Sequence, residues 1–163
     1  MVHTDQIHIR NTLEPGDLGY LIALHGVLYK KEYGFDSTFE TYVAIPMAEF
    51  ARRNDPGEKI WIVEKDALIH GSAGVVKYSD DTAQLRWMLL HPGIRGVGIG
   101  NRLMEETIAF ARECRYKRMI LWTVDLLKAA AHLYRKYGFS ITEEKRHRIW
   151  GVELNEQTYE RIL

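Results

Sequence analysis

Residues 89–100 read Leu-Leu-His-Pro-Gly-Ile-Arg-Gly-Val-Gly-Ile-Gly. An apolar run meets a proline turn, then an Arg and three alternating glycines, and a helix opens behind them. Free backbone N–H groups at a helix N-terminus, backed by the helix dipole, attract an anion. Glycines let the backbone curl and let a bulky ligand approach. The predicted chemistry is capture of a phosphate-bearing molecule. A P-loop does not fit: Gly93 and Gly98 have its glycine spacing, but Ile99 and Gly100 stand where Lys and Ser/Thr would hold the terminal phosphate and Mg²⁺. A dinucleotide fingerprint does not fit either. Gly96-x-Gly98 leads to Asn101 and Gly98-x-Gly100 leads to Leu103, so the third glycine fails in both registers, although Asp125 imitates the ribose-binding acid.

The remaining pattern is Arg/Gln-x-x-Gly-x-Gly/Ala, met by Arg95, Gly98 and Gly100. Roughly one helix and strand later comes Ala130-Ala131-His132-Leu133-Tyr134-Arg135-Lys136-Tyr137-Gly138-Phe139. Together, in this order, the two segments resemble the GCN5-related N-acetyltransferases. The first is similar to that family's acetyl-CoA pyrophosphate loop and the second to its Ala-x-x-Leu-Tyr-x-x-x-Gly-Phe segment. His25-Gly26-Val27-Leu28-Tyr29, with Glu32-Tyr33-Gly34-Phe35 and Leu121-Trp122-Thr123, resembles the branch often fused behind MarR-type DNA-binding domains. One departure stands out. Where the family often carries an Asn for the pantetheine arm, residues 124–127 read Val-Asp-Leu-Leu.

The resemblance implies acetyl-CoA as co-substrate, held by the backbone of Arg95, Gly96, Val97, Gly98, Ile99 and Gly100, with Leu89 and Leu90 pairing with the pantetheine like an added strand. It also implies a backbone N–H near Leu90 for the polarised thioester carbonyl. Tyr134 falls where the family keeps a general acid for the leaving thiolate, a modest task for a thiol of pKa about 8.5. An alkylamine of pKa about 10.4 must also lose a proton before it attacks. Glu32 is the first candidate base, with Glu40, Gln84 and Arg86 behind it. Tyr29, Tyr33 and Phe35 are expected to line the amine pocket, with Trp87 as a further possibility and Trp122 expected in the core. Direct transfer is expected rather than an acetyl-Cys intermediate, because Cys114 should sit on the helix after the loop. The alternative of another class is a catalytically weak CoA-binding module of the same fold. A homodimer is a family expectation.

These groups need a scaffold. Gln6 to Arg10 alternates like a strand. Glu14-Pro15-Gly16-Asp17 opens a helix expected to end near Tyr33-Gly34. Asp36 or Ser37 caps a second, carrying Phe39, Val43, Met47 and Phe50 on one face until Asn54-Asp55-Pro56-Gly57 breaks it. Three β segments, Lys59 to Glu64, Ala67 to Tyr78 and Thr82 to Leu90, are spaced as an antiparallel meander. After the glycine loop come a helix to about Arg115, a strand from Arg118 to Val124, a helix from Leu127 to Tyr137 and a strand from Gly138 into the charged stretch 143–148. A last strand is expected over Ile149 to Leu154. The prediction is one α/β (α+β type) domain over 1–163: a mixed, mostly antiparallel sheet of six to seven strands with helices on both faces.

The chain has 163 residues, with 22 basic and 22 acidic side chains. That balance disfavours nucleic acid and anionic lipid as partners. The lone Cys114 excludes an internal disulfide and fits a reducing, cytoplasmic setting. The polar N-terminus is unlike a signal peptide, and no apolar run reaches membrane-spanning length. Seven histidines, His3 and His8 among them, show no ligand spacing, so no metal is expected. Lys145-Arg146-His147-Arg148 reads as a solvated strand end, with contact to the cofactor's nucleotide phosphate as the other reading.

Overall fold

The computed structural model describes residues 6–163, so His3 lies outside the described residues. Seven strands and four helices follow one another as β1 (Ile7–Arg10), α1 (Asp17–Tyr33), α2 (Ser37–Arg53), β2 (Lys59–Lys65), β3 (Leu68–Lys77), β4 (Thr82–Leu90), α3 (Ile99–Glu113), β5 (Arg118–Val124), α4 (Lys128–Lys136), β6 (Ser140–Ile149) and β7 (Val152–Ile162). They form one sheet in the order β1-β2-β3-β4-β5-β7-β6. All its pairings are antiparallel except β4 with β5.

Local chemistry sets the helix ends. Gly34, at φ 75, closes α1 in the left-handed region that glycine adopts without strain. The Asp36 carboxylate accepts from the Thr38 N–H at 3.0 Å and starts α2. The helix α2 runs on through Pro46 despite the lost N–H, because Phe39, Val43, Met47 and Phe50 bury one continuous stripe. Each face of the sheet has its own core. Leu103, Met104, Ile108 and Ala111 of α3 pack with Ala131 and Tyr134 of α4 on one side. Leu21 of α1 and the α2 stripe pack on the other.

The last strand departs from expectation. The hairpin turn falls at Trp150-Gly151, both with positive φ (53 and 81), and β7 runs eleven residues to Ile162. Its polar content (Glu153, Asn155, Glu156, Gln157) hides buried positions on both faces, Leu154 in one core and Tyr159 in the other, with Gln157 buried between them in sequence. Strand β7 inserts between β5 and β6, and the basic run of residues 145–148 rides the outer strand β6, three positions from β4. No helix among the described residues is long and apolar enough to cross a membrane.

Candidate active site

The two parallel strands part company almost at once. Strands β4 and β5 pair only at Thr82–Arg118, Ala83–Met119 and Gln84–Ile120. Beyond Gln84 the register of β4 against β3 slips, with Ser72 opposite Leu89 but Gly74 opposite Arg86, so β4 holds one extra residue there. Trp87 takes φ 52 at this bulge and its carbonyl accepts from the Ser72 hydroxyl at 2.7 Å. Such a bulge bends and twists its strand. No β4–β5 pair follows Gln84–Ile120, and the bulge between Arg86 and Leu89 bends the rest of β4, so a gap lies open in the middle of the sheet.

The open edge continues to the glycine loop. His91 N–H donates to the His70 carbonyl at 2.7 Å, which makes Gly71–Leu90 a non-hydrogen-bonded pair of the ladder. The N–H and C=O of Leu90 then point away from β3, towards the gap. That carbonyl is taken by Arg95 Nε at 2.8 Å, leaving the N–H free for a ligand. After a 3-10 turn at Pro92–Ile94, the backbone N–H groups of Gly96 to Asn101 have no acceptor among the described residues. Gly96 and Gly98 have φ 75 and 88, the conformation that glycine alone takes cheaply. Gly100 is needed for a different reason: a Cβ there would lie 3.3 Å from Leu133 and 3.5 Å from Leu90. Leu133 thus seats α4 on the loop, and Asn101 secures it by accepting from Lys136 Nζ at 2.7 Å and from the Tyr137 hydroxyl.

The gap widens into a pocket lined by residues of α1, α2, β4, β5, α4 and the β6–β7 turn. Tyr134 lines it, buried, against Phe139 and Tyr159. Burial raises its phenol pKa, so it stays protonated. Of the expected acceptor residues, Tyr29 and Phe35 line the pocket, and Tyr33 stacks behind them without reaching it. Trp122, expected in the core, is 41% exposed at the pocket edge, where its ring meets the exposed Tyr78 edge-on.

The candidate bases separate. Glu32 accepts from Arg95 Nη2 at 2.8 Å and holds that guanidinium beside Leu90, outside the pocket lining. Glu40 is exposed and lies against Gly26 on α1. Gln84 and Arg86 line the pocket, but neither an amide nor a guanidinium takes up a proton at neutral pH. Asp125 binds no ribose in this arrangement: its carboxylate accepts from Asn155 N–H at 2.8 Å and ties β5 to β7. Cys114 caps the far end of α3 and is absent from the lining.

Several lining residues lay beyond the motifs. Tyr42 and Trp150 face each other at 5.1 Å, and Glu156 sits beside them, bonded to His147 Nε2 at 3.1 Å. His25, buried, donates from Nδ1 to the Leu21 carbonyl at 2.7 Å, and desolvation lowers its pKa to about 4. Trp150 had a legible signal, an aromatic-glycine pair between two strands. Glu156 had none.

The sequence profile of the Acetyltransferase (GNAT) family matches residues 27–139. An uncharacterized N-acetyltransferase of Schizosaccharomyces pombe is 32% identical over 124 residues, 73% of this chain and 74% of that protein. Human N-acetyltransferase 8B is 28% identical over 100 residues, 58% of this chain but 44% of its own length. Among solved structures, Salmonella typhimurium yncA, determined with its cofactor acetyl-CoA, superposes with TM-score 0.70 at 18% identity, over 96% of this chain and 94% of that one.

Proposed function

The chain belongs to the acetyltransferase (GNAT) family, and from that membership we propose that it transfers the acetyl group of acetyl-CoA directly to a primary amine. The observation that carries this reading is the parting of β4 from β5, with free loop N–H groups at one end and Tyr134 on the wall. Six N–H groups at the dipole end of α3 suit a pyrophosphate. The open edge of β4, where Leu90 turns its N–H to the gap while the Leu89 backbone faces β3, suits an amide-bearing arm that pairs as a short strand. Acetyl-CoA carries both, and yncA holds it on this fold.

The step is then simple to balance. The amine nitrogen, once it has lost its proton, attacks the thioester carbonyl carbon. The C–N bond forms, the nitrogen sheds its second proton, the C–S bond breaks, and the CoA thiolate leaves and takes up one proton in exchange. In this reading Leu90 N–H faces the carbonyl oxygen as charge develops. Tyr134 donates a hydrogen bond to the sulfur, and Glu32 holds Arg95 at the loop. Glu32 as the base would have to act from inside that ion pair.

The test is thiol release from acetyl-CoA by the purified protein across a panel of primary amines. Acceptor-dependent release supports the reading. Tight CoA binding with release never above hydrolysis overturns it in favour of a binding module.

A further inference from the structure

Arg86 is a cation without an anion. Its guanidinium lies 5.7 Å from the ring centroids of both Tyr42 and Trp87, on the pocket wall, and it makes no ion pair among the described residues. The carboxylate that acts on it, Glu49, lies 3.9 Å from Arg53 instead. The bulge explains how Arg86 comes to share a side with Trp87: an extra residue breaks the strand's alternation, so neighbours turn to one face. An Arg is costly to leave half-buried and unpaired.

A second observation points the same way. Four buried side-chain atoms among the described residues lack any hydrogen-bond partner, and three of them, His25 Nε2, Trp87 Nε1 and Thr123 Oγ1, belong to residues lining this pocket. Trp87 Nε1–H can only donate, which suits an anion. His25 Nε2 carries a lone pair, because Nδ1 already donates to Leu21, and suits an amine N–H. Rings at 5 to 6 Å steps connect the two ends: Tyr42 to Trp150, Trp150 to Phe35, Phe35 to Tyr29, and Tyr29 to His25. Glu156 also lines the pocket beside Tyr42, but its carboxylate is engaged by His147 Nε2 at 3.1 Å rather than by Arg86.

We infer that the acceptor is a small amine that also bears a carboxylate, an amino-acid-like zwitterion whose carboxylate sits on Arg86 and Trp87 Nε1–H along an aromatic wall. This rests on the acetyltransferase reading. L-methionine and L-phenylalanine are compared with their C-amides, which keep the amine and side chain but lose the carboxylate. The acids should exceed the amides in kcat/KM on the order of 50-fold, although the amide's amine is more often free at neutral pH. Arg86→Gln should reduce that ratio below about threefold, and Arg86→Lys should keep part of it. A merely structural lesion would lower both substrates and leave the ratio standing. Amides turned over as well as acids would overturn the inference and leave the acetyltransferase reading intact. If no amine is turned over, that reading fails, and quenching of tryptophan fluorescence in the CoA-loaded protein still decides this one. N-acetyl-L-methionine should quench and its amide should not. Equal quenching, or none, overturns the inference.

Discussion

Tyr134 is held as a donor by its surroundings. Burial raises its pKa above the ordinary value of about 10, so it keeps its proton across the working range. Handing that proton outright to a free thiolate of pKa about 8.5 would be uphill by at least about 2 kcal/mol. In the proposed reaction the proton would instead be shared as the C–S bond breaks. Tyr134→Phe should therefore lower kcat by about 10²-fold, and the wild-type rate should show no alkaline fall below about pH 10. A rate unchanged in the variant would remove Tyr134 from the mechanism. Glu32 offers a contrast, since its carboxylate is committed to Arg95. We expect Glu32→Gln to raise KM for acetyl-CoA on the order of fivefold, the worth of a partly exposed ion pair, and to leave the acid limb of kcat/KM where it was. Loss of that limb would instead make Glu32 the base.

At the scale of elements, the bulge in β4 does most of the work. It follows directly on the last β4–β5 pair, bends β4 along the gap, and turns Arg86 and Trp87 to one side. Gly74, across from it on β3, has no room for a side chain: a Cβ would lie 2.5 Å from Trp87 Cε3. Gly74→Ala should displace the Trp87 ring, shift the tryptophan emission and destabilise the protein by about 1–3 kcal/mol. An unshifted spectrum with full stability would mean that the bulge does not depend on this contact. The helices were largely legible beforehand, because caps and breakers act within a few residues. Asp36, Gly34 and Asn54 stand at the ends of α1 and α2 as their chemistry requires. The strand β7 was not. Its inward positions include Gln157 among polar neighbours, so no apolar alternation marks it, and the hairpin turn used Trp150 at positive φ.

At the scale of the molecule, the two cores are joined through a pocket that carries buried polar groups, and pH will reveal them. Unfolded His25 binds a proton below about pH 6.5, whereas folded His25 binds one only below about pH 4. Between those values the unfolded state holds more protons, so stability falls as pH drops from about 6.5 towards 4, by up to about 3 kcal/mol. Thermal unfolding at pH 7.5, 6 and 5 should show this loss in wild type and a smaller one in His25→Asn. Parallel curves would mean that the ring is not buried neutral. What the sequence determined by itself was the glycine loop, the family and the order of the helices and most strands, because glycine dihedrals, caps and apolar periods are set by near neighbours. Which side chains join Tyr29, Phe35 and Tyr134 in the pocket was decided by tertiary structure. Arg86, Tyr42, Trp150 and Glu156 lie on four separate elements. They meet only because the sheet places β7 beside β5 and because one extra residue bends β4 away.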